Sequence, residues 1–324
     1  MRWQRLLSFV LVGACVQVLA AGRNRDVEAV ALLESFYDGS ISPNQLVNRL
    51  SYLGSTRFAS DQLVDKLRRT ADVRRRGAML EVLSQIASYS EDGERALLRA
   101  LNDDALGNRM SAAKALGRIK STKATAPLEG LLGDQATGAR REAARALGVI
   151  GKPRSGPPLI AAAKIEDDLE TRVVMLMAVG KTGDVRQVAA LEGFLENSSE
   201  SARLSAAQAL CLLGSAKGQA FAKKVISSED RLERLQGVRL FEGTSLKVAK
   251  ALLTPALEDQ DHAVRAAAAR VLAAAGDESK VEWLVIQSAK QSGPEAVLIY
   301  ESEIEKLRVE PERRAAILKK AGLP

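Results

Sequence analysis

Few residues of this chain could carry out chemistry. His262, in "EDQDHAVRAA", is the single histidine. With Asp259 and Asp261 beside it, an imidazole and two carboxylates could ligate a metal. The stretch reads more simply as a polar turn before a helix, where acids serve as caps. Asp103–Asp104 and Asp167–Asp168 are paired acids of the kind a general acid and base require. They too fall at turns that call for acids, so we read them as caps. No nucleophile elbow, phosphate-binding glycine loop or metal-spaced Cys/His cluster occurs. The sequence therefore predicts no catalytic residue, no metal and no cofactor, and a chain that is not an enzyme.

"KLRRTADVRRR" gathers Lys66, Arg68, Arg69, Arg74, Arg75 and Arg76. Extruding a base usually needs aromatic walls and a catalytic acid, yet the only tryptophans are Trp3 and Trp283. A formal charge of +7 on 324 residues is a mild excess, which favours anionic partners without demanding nucleic acid. The basic run is expected to be a solvated turn, or a site for anionic lipid, polymer or protein. A nucleic-acid partner is not expected.

The elements that hold these residues announce themselves by repetition. "RMSAAKALG", "RREAARALG", "RLSAAQALC" and "RAAAARVLA" are versions of one phrase. Aligned on the opening arginine, it starts at Arg76, Arg109, Arg140, Arg172, Arg203, Arg234 and Arg265, at intervals of 33, 31, 32, 31, 31 and 31 residues. Such a period signals a stacked array. Positions three, four, six and seven after each arginine are apolar or small, as in Ala112, Ala113, Ala115 and Leu116. That spacing marks one face of a helix. Their small size lets neighbouring helices approach closely. Gly117, Gly148 and Gly180 then serve either to end the helix or as close-packing points within it. Cys211 takes the same position, so a small buried residue is expected there rather than a reactive thiol. A second helix precedes each phrase, as in "DGERALLRAL" and "DVRQVAALEGFL". Six residues before the arginine stand Asp103, Asp134 and Asp259, with Glu166 and Asn197 as substitutes and lapses at Thr70 and Ser228. An acid there can cap the second helix or meet an arginine of the same or an adjacent unit.

This pattern of Asp, five residues, Arg and "ALG" resembles the HEAT family in its short, phycobilin-lyase-type form. It recurs in register over roughly residues 58–290. The resemblance implies an all-α, right-handed α-solenoid of about eight stacked antiparallel helix pairs, with no sheet. Residues 22–57 and 291–324 are then N- and C-terminal capping helices. No change of period marks a domain boundary. Lyase activity does not carry over from so general a repeat, and a single histidine argues against the di-iron HEAT hydroxylases.

In such solenoids the second helices line the concave groove, which places positions one, two, five and nine on it. A protein or peptide partner is expected there. The residues assigned to it are Met110, Lys114, Arg141, Arg145, Val173, Met177, Leu204, Gln208, Leu235, Arg239 and Arg270. Val173, Val174 and Met177 are apolar where other units are polar, and Arg141 and Arg145 lie beside Val173 and Met177 in a mid-groove anchor. The alternatives are a lyase- or glycosylase-type enzyme on the same fold and a binder of an anionic envelope polymer.

The chain opens "MRWQRLLSFVLVGACVQVLAAG". Two arginines, an apolar run and small residues at its end are the layout of an export signal over residues 1–21. The protein is therefore expected in the periplasm or secreted. "LVGAC" resembles a lipobox ending at Cys15, which would be lipidated, but the apolar run continues past it. Cleavage after Ala20 or Ala21 is the preferred reading. A Cys15-linked lipid or an uncleaved anchor is the alternative, and the only membrane contact expected. Cleavage leaves Cys211 without a partner for a disulfide. Cells expressing the wild type or Cys15→Ser and fed a palmitate analogue should leave both forms unlabelled. Label that appears in the wild type and vanishes in Cys15→Ser would overturn simple cleavage.

Overall fold

The computed structural model describes residues 25–86 and 90–323, so the export signal and Cys15 lie outside the described residues. Every regular element among them is helical. The chain divides into two compact units, Met1–Ile150 and Gly151–Pro324. The division falls at "GKPRSGPP", where Gly151 takes a positive φ of 68° and Pro153 opens a 3-10 turn. Seen from the repeat alone, this point is like any other.

The first unit holds α1 (25–37), α2 (Pro43–Leu53), α3 (Thr56–Arg69), α4 (Val73–Ile86), α5 (Glu91–Ala100), α6 (Leu106–Arg118), α7 (Thr125–Leu131) and α8 (Thr137–Ile150). The second holds α9 (Gly156–Ile165), α10 (Leu169–Thr182), α11 (Val188–Glu192), α12 (Glu200–Leu212), α13 (Ala216–Ile226), α14 (Arg231–Arg239), α15 (Leu246–Leu253), α16 (His262–Ala274), α17 (Glu278–Lys290), α18 (Pro294–Lys306) and α19 (Pro311–Lys320). This is an all-α repeat fold of the solenoid class. It has nine successive helix pairs and a final helix among the described residues, where the repeat suggests about eight. Each even-numbered helix from α4 to α16 is the second helix of a pair and carries the arginine phrase.

Side-chain chemistry sets where these helices begin. Ser42 and Gln45 form a reciprocal capping box on α2. Asp168, Ser199, Asp230 and Asp261 accept backbone N–H groups at the starts of α10, α12, α14 and α16. The first helices are shorter and less regular. α7, α9 and α11 each follow a 3-10 turn, and α11 has only five residues.

Positions three, four, six and seven are buried in all seven phrases, from Met79, Leu80, Val82 and Leu83 to Ala268, Ala269, Val271 and Leu272. Alanine buries little area, so it contributes by letting backbones come close. The glycines resolve accordingly. Gly117 and Gly180 lie inside their helices, and a Cβ on either would fall 2.8 Å from the Cα of Ala146 or 2.6 Å from that of Ala209. They are packing points between successive second helices. α10 is instead ended by Gly183, at φ 73°. Cys211 is buried in the same row, and burial pushes its thiol up to about 12. It is inert packing, as expected.

Within each unit, successive second helices pack against one another: α2, α4, α6 and α8 in the first, and α10 with α12, then α14, α16 and α18, in the second. α12 and α14 are more loosely opposed, and Gly237 of α14 faces Ile226 of α13 rather than a second helix. At the C-terminal end α17, α18 and α19 close over Tyr300, Ile304 and Ile317. Ion pairs of Arg314 with Glu301 and of Lys320 with Glu282 tie α19 down.

Gly180→Ala should therefore destabilise the protein by about 1–3 kcal/mol through overpacking. Gly193, at φ −62° with nothing near its missing Cβ, should tolerate alanine with no loss. Urea midpoints of the two variants make the comparison, and equal midpoints would refute the close-packing role.

Candidate functional site

The acids at the turns belong to a ladder rather than to an active site. Arg76 donates through Nε and Nη2 to both oxygens of Asp103, at 2.9 and 3.1 Å. Arg109 does the same to Asp134, at 2.8 and 3.0 Å, and Arg234 to Asp259, at 2.8 and 3.1 Å. Each partner acid is 25–27 residues downstream, at the turn of the next pair. Meanwhile Nη1 of each arginine donates to carbonyls of its own turn, as Arg109 does to Asp103 and Asp104. Arg140 and Arg203 bond their own turns in the same way. The acid's second task is to accept the N–H two residues on, from Ala105, Ala136 or Asp261. The acids thus meet the arginine of the preceding unit, and the helix caps are other residues.

The ladder is modified at three points. Asn197 stands where an acid would for Arg172, whose Nε and Nη2 both go to the Glu166 carbonyl of its own turn. Ser228 stands where an acid would, and Arg203 has no carboxylate partner among the described residues. At the C-terminal end, Arg265 donates to the Tyr300 hydroxyl at 3.3 Å and meets His262 Nδ1 at 2.8 Å. His262 also packs edge-on against Tyr300. No group of metal-ligating side chains occurs among the described residues. His262 is a packing residue of the ladder's last step.

Electrostatics follow from this geometry. Burial alone would raise the carboxyls of Asp103, Asp134 and Asp259. The arginine fork and the backbone N–H outweigh it and hold all three below their ordinary value of 3.8.

The surface rows behave less simply than their period suggests. Position five is exposed at Glu81, Lys114, Arg145 and Arg239, but half-buried at Met177 and Gln208. Position one is half-buried at Met110, Arg141, Val173, Leu204 and Leu235, and buried at Ala266. The cause is the close approach of second helices, which wedges position one against the next helix. Met110 rests over Gly138 of α8, where a Cβ would come 2.9 Å from the thioether sulfur. Leu204 and Leu235 pack against the core around Val238 and Phe241. Arg145 pairs with Glu142 one turn away, at 2.5 Å. Arg270 stands apart from the other assigned residues, for it is held between Glu242 and Glu303 and its charge is engaged within the fold.

One wide cleft opens on the second helices of the first unit. Its volume is about 630 Å³, and Asn44 of α2, Arg74, Gly77, Glu81, Ser84 and Gln85 of α4, and Gly107, Asn108, Ser111, Lys114 and Arg118 of α6 line it. Such a volume is typical of ligand clefts, about 300–1,000 Å³. Gln85 donates to Asn44 at 3.1 Å, and Arg118 reaches the Ser84 carbonyl only at 3.4 Å. Arg74 and Lys114 make no ion pair among the described residues. Of the cleft residues only Lys114 was assigned from sequence. Gln85 and Arg118 sit at position nine, a signal present in the period but not followed to a site. Arg74 is hidden in the basic run.

Residues 60–143 and 131–211 each match the family model for HEAT repeats. No curated protein matches the chain in sequence. Among solved structures, the complex of CpcE and CpcF of phycocyanin lyase from Nostoc sp. is similar at 18% identity and TM-score 0.51, covering 76% of this chain and 94% of that one. Human deoxyhypusine hydroxylase in complex with glycerol is 20% identical, with TM-score 0.35, over 78% of this chain and 99% of that one. An engineered protein is 19% identical, with TM-score 0.43, over 82% and 81% of the two chains. The expectation that the chain is not an enzyme is corrected by the first of these. A lyase is built on this fold, so a helical repeat without a recognisable catalytic motif does not exclude an enzyme.

The ladder gives a pH prediction. Carboxyls held low in the folded state stabilise it fully above their ordinary value, and that stability is lost as pH falls through the lowered values. The urea midpoint should hold steady from neutral pH down to about 5, then fall below about 4. Asp259→Ala, which strands Arg234, should cost about 3 kcal/mol at neutral pH and make the acid fall shallower. An Asp259→Ala protein with the wild-type midpoint and acid profile would show that the ladder is ornamental.

Proposed function

We propose that this protein is an exported binding array that holds a protein or peptide partner on the face of its second helices. The observation that carries the reading is the cleft over α4 and α6. It is wide and open, lined by Val73 as well as by polar side chains, and its cations face outward while those of the ladder are consumed inside the fold. In the second unit Val173 and Met177 of α10 keep part of their apolar surface accessible, as a partner's anchor would require. The HEAT repeats over residues 60–211 support the reading, and so does a fold neighbour that is itself a complex of two proteins. Export rests on the N-terminal sequence. No helix of the described residues is long and apolar enough to cross a membrane.

The test is capture of a partner from the envelope fraction, its identification by mass spectrometry, and reconstitution from purified components. Met177→Ala and Arg145→Glu should each weaken the reconstituted complex by about tenfold or more, since truncating an anchor typically costs about 2 kcal/mol. Their melting temperatures should stay near the wild type. Leu147→Ala, at a fully buried position, should instead lower stability by about 2–5 kcal/mol. Wild-type binding by both surface variants would place the site elsewhere.

A further inference from the structure

We propose that the cleft over α4 and α6 recognises an acidic segment of the partner, with Arg74, Lys114 and Arg118 receiving its carboxylates. The inference rests on the reading of this face as a binding surface and names the chemistry that it selects. Three cations line the cleft against one carboxylate, Glu81. Several other cations of the unit are matched within the fold. Arg76 and Arg109 have their aspartates, Lys123 has Glu94, and Arg95 has Glu91. Lys114 has no such partner among the described residues, Arg74 feels only Asp72 two residues before it, and Arg118 touches only a carbonyl at 3.4 Å. Cations crowded in a concavity and left unmatched raise the local concentration of anions and steer them inward.

The floor adds a second observation. Asn108 is almost wholly buried, and its carboxamide lies near enough to Asp103 to favour that acid's charge. Gly77 makes room for this amide, because a Cβ there would press to 3.1 Å from Asn108 Oδ1. Amides and hydroxyls from Asn44, Gln85 and Ser111 surround the charges, which suits the alternating donors and acceptors of a peptide backbone. The cleft is large enough for several residues of extended chain. A lone inorganic anion would leave most of it empty.

The probe is a fluorescein-labelled peptide of alternating Glu and Gly, followed by anisotropy on the purified protein. The matched Lys–Gly peptide is the control, and inorganic phosphate at equal charge is the competitor. The acidic peptide should bind and the basic one should not. Raising salt from about 50 to about 300 mM should weaken binding, because exposed charges are screened. Lys114→Glu should lower affinity about tenfold or more while Lys114→Arg stays within about threefold. Lys247→Glu, exposed on α15 in the other unit, should bind the peptide as the wild type does. Lys114→Glu must keep the wild-type melting temperature, and Arg74→Glu supplies an independent reversal of charge.

Three results overturn the proposal: no binding of the acidic peptide, full binding by both Lys114→Glu and Arg74→Glu, or complete displacement by phosphate, which marks a small-anion site. If the captured partner loses affinity in Met177→Ala but is indifferent to Lys114→Glu, the cleft proposal fails while the binding array stands. If no surface variant affects the partner, the array reading itself fails.

Discussion

A guanidinium has five N–H donors in a rigid plane, and in this protein Arg76, Arg109 and Arg234 each divide them between two turns. One edge goes to carbonyls of its own turn. The other goes to a carboxylate at the turn of the next pair, as between Arg109 and Asp134. The planar fork therefore fixes the distance and the rotation between consecutive pairs. Lysine could match the charge but not the geometry. The acid in turn accepts a backbone N–H, so the turn's shape and the inter-unit joint are specified by the same atoms. Side-chain exposures of 17% and 12% for this pair put it well out of bulk water, where a mismatched partner would be expensive.

Close approach of the second helices goes with this joint between α6 and α8, where Arg109 and Asp134 pin the turns and Gly117 lies against Ala146. Between α10 and α12, where Arg172 has no acid among the described residues, Gly180 against Ala209 sets the backbones side by side without a fork. Small residues on the packed face then decide what the opposite face looks like. Position one is drawn into the crevice between helices, and position five is left outside. The cleft over α4 and α6 is a product of the same rule, since Gly77 and Gly107 remove side chains from two facing turns. The cations that ring it are those for which the ladder has no use.

The helices and their buried faces could be read from the sequence because the arginine phrase repeats seven times, and a period of three and four leaves no other geometry. The roles of Cys211 and His262 were legible for the same reason, one by its register and the other by its place at a turn. The destination of each aspartate was not, because an arginine 25–27 residues upstream comes near only after two helices have packed. Arg270 looked like a surface charge by register, yet Glu242 reaches it from the turn after α14 and Glu303 from α18. Met110 and Leu204 looked exposed because periodicity describes one helix, whereas exposure depends on the helix beside it. The cleft escaped notice for a related reason. Its residues are scattered over α2, α4 and α6, and only their shared concavity unites them.

The missing steps of the ladder have a mechanical meaning. Asn197 and Ser228 stand where an acid would, and among the described residues Arg172 and Arg203 bond only their own turns. The two joints still differ, because α10 and α12 are closely packed while α12 and α14 are loosely opposed. In a stack held by nearest-neighbour interfaces, the stiffness of the whole is set by its softest contact. Thermal bending of the second unit would concentrate between α12 and α14, where no fork joins the second helices and their packing is loosest. A spring made of rigid coils with a single compliant link stores strain in that link and transmits it everywhere else.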